Sequence, residues 1–447
     1  MISPIGPRIL AEKSQKPDST GIPALPISYA DAAPLLRALN GHGPKATELP
    51  PRWHGGRLGY KGVEYNVGPT PENVVLNLYN GVNRTTGTVH NVIGTIPGRE
   101  LEDEVVLIGT HRDAWGPGAG DPGSGSSALN EVVRSFGEAL KHGWQPLRTI
   151  VFASFEGGEY GQRGSRPWIR ENLHWLNRTA VGYLNVVVAA SGSQLHVKAS
   201  PLLHRAAIHA TNKVLSPNQT VEGQTVADVW DGDITPAGGG DAIPFITEAC
   251  ISTVDFGFSP GINEPVFPYH SQFDTVEWMD AFGDPDWKHH ITSANLWSMM
   301  AVHLLESPVL PVSVTDYATS LKEYLAVVQQ KVPASISEDL DFSLLEESIA
   351  RLHTAAVRFD SYAASLTDQL HQPQGPQPWW KKLWIRTTPR SRMRAVNELY
   401  IGFERRFYYE DESKHVVFGP EAWHSSEPAF PALVESISAK NITDTYV

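Results

Sequence analysis

Cysteine is almost missing from this sequence, because its 447 residues include a single one, Cys250. One thiol excludes a disulfide bond within the chain, and it leaves the redox compartment open. Apolar residues make up 41% of the sequence, which is enough for a sizeable buried core. The composition therefore predicts a globular protein without internal disulfides.

Positive charge is also scarce. The chain has 36 lysines and arginines against 49 aspartates and glutamates, and its formal net charge is −13. A protein that binds nucleic acid needs a basic surface to meet the phosphates. We therefore expect no nucleic-acid partner.

Long apolar runs are the third absence. No stretch approaches the roughly 18 residues of a membrane-spanning helix, and the N-terminal MISPIGPRILAEKSQKPDSTG lacks the basic and apolar regions of a signal peptide. We expect neither a signal peptide nor a membrane segment in this chain. Four N-x-S/T sequons slightly favour an extracellular or lumenal location; they lie at Asn83, Asn177, Asn218 and Asn441.

Two different patterns follow one another in the first 310 residues. Residues 1–97 are rich in proline, glycine and short strand-like runs such as VVLNLYNGV, which predicts an incomplete β-rich unit. From 98 to 310, the strand-like runs EVVLIG, TIVFASF, VGYLNVVVAA and CISTVDFGF alternate with helical stretches. The first helix, within SGSSALNEVVRSFGEALKHG, is expected to stop at Gly143. This alternation predicts an α/β domain with a parallel or mixed sheet covered on both faces.

The last part of the chain, residues 311–447, is predicted to be helical. Two stripes of apolar residues at helical spacing indicate helices packed against other helices. The first consists of Phe342, Leu345, Ile349, Leu352, Ala356, Phe359, Ala363 and Leu366, and the second of Met393, Val396, Tyr400, Phe403 and Phe407. The core of a helical bundle explains such stripes most simply, and a dimer interface is the alternative; one bundle can serve both.

Side chains of the kind that bind metals follow the predicted strands. They lie in THRDAW (His111 and Asp113), GAGDPGSG (Asp121), FEGGEYG (Glu159), GGGDA (Asp241) and PYHSQFDT (His270). Each alone is most often structural or solvated. Together, histidines and carboxylates at the carboxyl ends of strands suit zinc, which takes nitrogen and oxygen ligands. Asp113 is expected to accept the other imidazole proton of His111.

These motifs, in this order and approximate spacing, resemble the co-catalytic zinc peptidase family of glutamate carboxypeptidase II, to which the transferrin receptor is a metal-free relative. The resemblance extends to VLPVSVTDYA and VNELYIGFERRF, so it covers nearly the whole chain. It implies a partial apical (protease-associated) segment at 1–97, a zinc-peptidase-like α/β domain at 98–310 and a helical dimerisation domain at 311–447. It also implies a homodimer, an extracellular or lumenal location usually with a membrane anchor, and a chain that begins inside the apical domain.

The resemblance also assigns roles to the metal-binding candidates. Asp121 matches the aspartate that bridges two zinc ions, His111 a ligand of the first zinc, and Glu159 and His270 the remaining ligands of the second. The family's other ligand of the first zinc is replaced by Val187, and its general base by Gly158. We therefore expect at most one zinc ion per chain, held by Asp121, Glu159 and His270.

Substrate recognition departs from the family as well. Our alignment puts Asp255 and Gly257 where the family has a pair of arginines, and His424 and Ser425 where it has a lysine and a tyrosine. Asp255 either meets an amine or a basic side chain of a ligand, or is a surface residue. Asp241 is a further candidate for substrate contact.

Three functions follow from these expectations and stay open on the sequence alone. The chain is a zinc peptidase by ancestry whose hydrolysis is impaired or lost, an active zinc exopeptidase that uses a residual metal site, or a receptor-like binding or trafficking protein. A degenerate product without a function of its own is the remaining alternative. The residue at 158, which handles the proton in the family, discriminates between the first two.

Overall fold

A computed structural model of the chain describes residues 24–438, apart from 51–52, 55, 82–84, 334–335, 337–339, 372–387, 410–413 and 420–428. The chain divides into two compact units, one formed by residues 3–88 and one formed mainly by residues 89–447. None of the helices in the described residues is long and apolar enough to cross a membrane.

The smaller unit contains little regular structure in its described part. Its one α-helix is α1 (Tyr29–Arg37), which Ser28 caps by accepting a hydrogen bond from the backbone of Asp31. A single bridge pairs Lys45 with Asn66. The run at 74–81, which the sequence predicts to be strand-like, forms no strand.

A seven-stranded mixed sheet forms the centre of the larger unit, in the order β1-β3-β2-β4-β7-β5-β6. Strands β2, β3, β4 and β7 are parallel to their neighbours among these four, whereas β1 is antiparallel to β3 and β5 to β7. The strands are β1 (Val92–Ile96), β2 (Leu101–His111), β3 (Arg148–Phe155), β4 (Ala180–Asn185), β5 (Gln194–Ala199), β6 (Ile234–Pro236) and β7 (Thr253–Ser259). The predicted α/β fold with a mixed sheet is confirmed.

Helices cover both faces of this sheet, and two apolar clusters fill the space between the layers. The helices of the larger unit are α2 (Gly125–Lys141), α3 (Ser165–Thr179), α4 (His204–Thr211), α5 (Ala242–Glu248), α6 (Val276–Trp278), α7 (Lys288–Glu306), α8 (Val314–Gln330), α9 (Ser343–His371), α10 (Pro389–Ile401) and α11 (Pro431–Ser438). The first helical pattern predicted from the sequence is α2, which buries Leu129, Val132 and Phe136. It ends two residues before Gly143, whose φ of 88° suits a helix terminus.

Sequence boundaries are less accurate than element types. The predicted boundary at residue 97 remains a prediction, although β1 lies before it and pairs with β3 along its length. The apolar run VGYLNVVVAA places Val187 in a strand, but strand β4 ends at Asn185, so Val187 lies beyond it. Strands β5 and β6 were not predicted. Of the sequons, Asn177 lies in α3 and Asn218 in a loop, while Asn83 and Asn441 are outside the described residues.

Both apolar stripes of the helical region pack inside this chain. In α9 the residues Ile349, Ala356, Ala363 and Leu366 are buried, and the other four members of the first stripe pack against the same core. In α10 the buried members are Met393, Val396 and Tyr400, whereas Phe403 precedes and Phe407 ends a 3-10 turn beyond the helix. The bundle-core interpretation therefore accounts for the stripes themselves.

A buried ion pair connects the sheet with the helical region. Arg148 Nε donates to Glu104 Oε2 at 2.6 Å, and the Arg148 guanidinium also donates to the carbonyls of Leu304 and Pro308, each at 2.9 Å. Asn397, in α10, donates to both oxygens of Glu104 at 3.1 and 3.0 Å. The pair therefore satisfies backbone carbonyls in the last turn of α7 and just after it, and it anchors α10 at the start of β3.

Replacing Arg148 with methionine should lower the free energy of unfolding by about 3 to 5 kcal/mol, because it leaves the carboxylate of Glu104 buried without its cation. Denaturant unfolding followed by circular dichroism measures this loss. Arg134→Met is the matched control, since it breaks an ion pair with the exposed Glu131 and should cost far less, because exposed ion pairs contribute little to stability. Equal losses for the two variants would contradict the role of the buried pair.

Candidate metal centre

The candidate site lies where the parallel strands end. His111 is the last residue of β2, and Glu159 follows β3 in the loop that leads to α3. Asp121 stands in the turn before α2. The carboxyl ends of parallel strands meet at one edge of a sheet, and this is where open α/β sheets bind ligands. An open cleft of about 190 Å³ at this edge is lined by His111, Trp115, Asp121, Gly158, Glu159, Gly161, Gln162, Val187, Gly240, Asp241, Tyr269 and His270.

Asp121 occupies the middle of the group. Its side chain is 2% exposed, and its two oxygens face different histidines: Oδ1 lies 3.4 Å from His111 Nε2, and Oδ2 lies 3.0 Å from His270 Nε2. The Asp274 carboxylate accepts hydrogen bonds from the backbone N–H groups of Gly120 and Asp121, which fixes this turn. His270 Nε2 is also 3.2 Å from Glu159 Oε2.

Asp113 holds the loop after β3 in place. Its carboxylate accepts hydrogen bonds from the backbone N–H groups of Gly158 (2.8 Å) and Glu159 (3.2 Å). The nearest contact from Asp113 to His111 Nδ1 is its backbone carbonyl at 3.1 Å, and the carboxylate lies 3.6 Å away. The Asp113 carboxylate therefore also orients Glu159, a role that the sequence did not indicate.

The electrostatics of the cleft favour a cation. Burial raises the pKa of Glu159 to about 7, helped by the negative charge of Asp121. Burial alone would lower the pKa of His111, but contacts with Asp113 and Asp121 and the charge of Asp241 raise it to about 10. Carboxylates crowded out of water repel one another, and a bound cation would relieve that repulsion.

The donor set fits a zinc ion. Ligand atoms of His111, Asp121 and Glu159 lie within 4.8 Å of one another, and no other such group of three occurs in the described residues. Asp121 Oδ1 and Glu159 Oε1 are buried there without a hydrogen-bond partner. Imidazole nitrogens and carboxylate oxygens are the ligands that catalytic zinc sites use. These residues could therefore hold a zinc ion.

Gly158 and Val187 both line the cleft and give it no ligand. A Cβ atom at Gly158 would lie only 2.6 Å from His111 Cγ and 2.7 Å from His111 Cβ, so the imidazole packs directly against the backbone of residue 158. Glu156, the nearest acid before it in the sequence, instead accepts a hydrogen bond from the backbone of His90 and pairs with Arg112. None of these three residues brings a carboxylate into the cleft beside residue 158.

The predicted substrate residues separate into three groups. Asp241 lines the cleft. Asp255 and Gly257 are not among the described residues that line it. Asp255 is not a surface residue, because it is buried in β7 and accepts a hydrogen bond from Asn185 Nδ2 at 2.6 Å. Burial raises its pKa to about 6. His424 and Ser425 lie outside the described residues.

Aromatic side chains at the cleft were not singled out from the sequence. Trp115 and Tyr269 line it and are 45% and 42% exposed. The Trp115 ring packs on Tyr160 with centroids 4.9 Å apart, and Tyr269 stacks on His270 at 3.7 Å. Trp115 lies two residues beyond Asp113 and Tyr269 directly before His270, so proximity to the metal-ligand motifs was the available signal.

Two models of known protein families match parts of this chain. Residues 91–291 match the model of Peptidase family M28, and residues 340–445 match the model of the transferrin receptor-like dimerisation domain. The chain is 34% identical to a probable glutamate carboxypeptidase of Arthroderma benhamiae over 94% of this chain and 56% of that protein. It is 30% identical to the aminopeptidase NAALADL1 of Rattus norvegicus over 93% of this chain and 56% of that protein. The chain thus spans little more than half the length of these relatives.

A solved structure, the zinc aminopeptidase BSAP from Bacillus subtilis, aligns with 48% of this chain and 50% of its own chain, at a TM-score of 0.39 and 21% identity.

Proposed function

Because the chain combines a Peptidase family M28 domain with a transferrin receptor-like dimerisation domain, we propose that it is a metallopeptidase relative that binds one zinc ion and hydrolyses peptides weakly or not at all. The observation that carries this proposal is the contact at residue 158. Gly158 has no proton-accepting side chain, and the ring of His111 occupies the space beside it. His111 Cγ lies 2.6 Å from the position that a Cβ of residue 158 would take.

The proposed zinc ligands are Asp121, Glu159 and His270, because Asp121 Oδ2 and Glu159 Oε2 lie 3.0 and 3.2 Å from His270 Nε2. His111 groups with the same two acids, but it faces the other oxygen of Asp121 at 3.4 Å. A zinc ion in a peptidase acts as a Lewis acid and lowers the pKa of a bound water molecule. Asp113 positions Glu159 through the backbone of residue 159. The other oxygen of Asp121, Oδ1, faces His111. The side chain of Val187 supplies no ligand atom that could join His111 in holding a metal ion.

Proton transfer is the step that these residues do not support. General-base help from a positioned side chain is typically worth about 10²- to 10⁴-fold in rate. Gly158 offers no proton acceptor, and Glu156 is engaged by His90 and Arg112. We therefore propose that the cleft retains ligand binding and has lost most of its turnover.

The unmodified, zinc-loaded chain should not hydrolyse dipeptides or N-acylated dipeptides above background, because no side chain takes the proton of the attacking water. Release of free amino acids, measured with and without a chelator, tests this directly. Glu156→Gln should leave the result unchanged. Hydrolysis that a chelator abolishes would contradict the proposal, since an unidentified base would then be present.

We further propose that the chain forms a homodimer through its helical region, as the name of the matched dimerisation domain suggests. Because the apolar stripes pack internally, the surfaces left for a partner are exposed side chains such as Leu344 and Val357 in α9 and Leu399 in α10. Sedimentation velocity at micromolar concentration should give the mass of a dimer. A monomer under these conditions would contradict the proposal.

A further inference from the structure

The loop between β3 and α3 carries the metal-ligand candidate Glu159 and is rich in glycine. It comprises residues 156–164, EGGEYGQRG. Gly157 and Gly161 have positive φ values of 78° and 80°, and Gln162 has one of 54°. A positive φ is uncommon for a residue with a side chain, and it persists where the surroundings impose it. The contacts that this loop makes with the rest of the chain therefore decide where Glu159 lies.

Asn91 contacts both ends of this loop. Its Oδ1 accepts a hydrogen bond from the backbone N–H of Glu156 at 3.3 Å, and its Nδ2 donates to the backbone carbonyl of Gly164 at 3.0 Å. Glu156 is the first residue of the loop and Gly164 is the last. The two ends come so close that a Cβ at Gly164 would collide with the carbonyl oxygen of Glu156 and with Asn91 Oδ1. A single amide side chain therefore closes the loop.

The sheet brings Asn91 to this place. Strand β1 is antiparallel to β3, and its first residue pairs with Ser154, one residue before the end of β3. The residue before β1 therefore lies beside the residues that follow β3. His90 adds to the attachment, because its backbone N–H donates to Glu156 Oε2 at 2.5 Å and its carbonyl accepts a hydrogen bond from Arg112. Asn91 is thus held from its own side of the contact as well.

The loop is fixed at its middle and at its ends by different residues. Asp113 holds the middle through the backbone N–H groups of Gly158 and Glu159, and Asn91 holds the two ends. A ligand that is ordered before an ion arrives loses less conformational entropy when the ion binds. Asn91 is not among the described residues that line the cleft, so it would act on a bound ion only through the loop.

We propose that Asn91 is a positioning residue of the metal centre, which closes the loop at 156–164 and thereby keeps Glu159 where it binds the ion. The inference rests on the proposed function for the identity of the ion, zinc, whereas the closure of the loop does not depend on it. Residues that orient metal ligands are typically worth roughly 10- to 100-fold in metal affinity. Because Asn91 acts through the backbone on one of the proposed ligands, we expect an effect at the lower end of that range.

Hydrogen exchange of the zinc-free chain tests the closure itself. In Asn91→Ala, a peptide covering 156–164 should exchange about 10-fold faster, because the loss of two hydrogen bonds lets the loop open more often. Asn66→Ala is the matched control, since Asn66 also joins two backbone groups of a loop, accepting from Gly41 and donating to Gly43, each at 3.0 Å. It should leave exchange at 156–164 unchanged. Unchanged exchange in Asn91→Ala, or equally fast exchange in Asn66→Ala, would overturn the inference.

Zinc affinity, measured by competition with a chelator, tests the effect on the ion. Asn91→Ala should bind zinc about 10-fold more weakly than the unmodified chain. In a chain that already carries Glu159→Gln, adding Asn91→Ala should change the affinity less than about threefold, because the ligand that Asn91 positions is already lost. A role in overall stability alone would weaken zinc binding equally in both backgrounds, and that result would contradict the inference. An affinity of Asn91→Ala within about threefold of the unmodified chain would contradict it too.

Asn91→Asp decides the question if Asn91→Ala does not fold. It keeps the acceptor for the N–H of Glu156 but presents the carbonyl of Gly164 with a second acceptor instead of a donor, so the loop should again exchange faster. Unchanged exchange in Asn91→Asp would then overturn the inference. Failure of the proposed function gives a different result, because an unmodified chain that binds no zinc would still show the faster exchange caused by Asn91→Ala.

Discussion

Replacing Asp121 with asparagine should reduce the affinity for zinc by roughly 100-fold or more, since even residues that only support metal ligands cost 10- to 100-fold when changed. The side chain is buried between two imidazoles, 3.4 Å from His111 Nε2 and 3.0 Å from His270 Nε2. Asparagine keeps the shape but removes the charge and turns one ligand oxygen into an amide nitrogen. Competition with a chromophoric chelator measures the affinity.

Two controls separate loss of a ligand from loss of the fold. Asp286→Asn makes the same chemical change at an exposed residue paired with Lys288 and should leave zinc binding unchanged. In the absence of zinc, Asp121→Asn should unfold at the same or a higher temperature, because it removes a buried negative charge with an unpaired oxygen. Zinc affinity of Asp121→Asn within about threefold of the unmodified chain would contradict the ligand assignment, since that change is far below the 10- to 100-fold of a supporting residue.

The substitutions Gly158→Glu and Val187→Asp should restore hydrolysis only when they are combined. Val187→Asp alone adds a carboxylate to the cleft and should raise zinc uptake without supplying a base. Gly158→Glu alone should restore little hydrolysis, because the cleft would still lack the carboxylate that Val187→Asp adds; His111, 2.6 Å from the new Cβ, has to shift in the single and the double variant alike. We expect hydrolysis by the double variant to exceed that of either single variant by about 100-fold or more, the range of general-base catalysis.

Gly158→Ala isolates the steric part of this prediction. It adds only the Cβ that meets His111, so it should disturb the imidazole without adding any chemistry. Gly137→Ala, where the structure leaves open space around the Cβ in the middle of α2, should be neutral or slightly stabilising. Full activity of Gly158→Glu by itself would show that the metal site is intact and that only the base is missing.

Most of the fold was predictable because its signals are local and periodic. Strands β2, β3 and β7 follow continuous apolar runs, and α2 and α9 follow apolar stripes. Strand β5 escaped prediction because its residues are only partly buried and their sequence, QLHVKA, is mixed. Strand β6 has three residues, which is too short for any periodic signal.

The candidate site was predictable in its residue types and less so in its contacts. Parallel strands bring their carboxyl ends to one edge, so His111, Asp121 and Glu159 were expected to meet there. Of the two environments predicted for Asp255, the surface was wrong, because the residues around it in β7 are buried on both faces of the strand. The way in which helices cover the sheet is a matter of tertiary packing, which the sequence of one strand does not show.

The obstacle at residue 158 was also not visible in the sequence. The positive φ nearest to residue 158, 78°, is at Gly157, so the backbone conformation of Gly158 is not what opposes a side chain there. The actual obstacle at Gly158 is the imidazole of His111, which comes from another strand. Contacts of this kind depend on tertiary packing, which no local pattern encodes.

The zinc content of the purified, zinc-equilibrated chain is the measurement that tests the account most directly. Dialysis against buffer with trace zinc, followed by elemental analysis and protein quantification, gives the number of ions per chain. The account predicts one zinc ion, lost in Asp121→Asn and retained in Asp286→Asn. Two tightly held zinc ions per chain would contradict it, because the site would then have the second ligand set that Val187 is proposed to remove, and no bound zinc would contradict it equally.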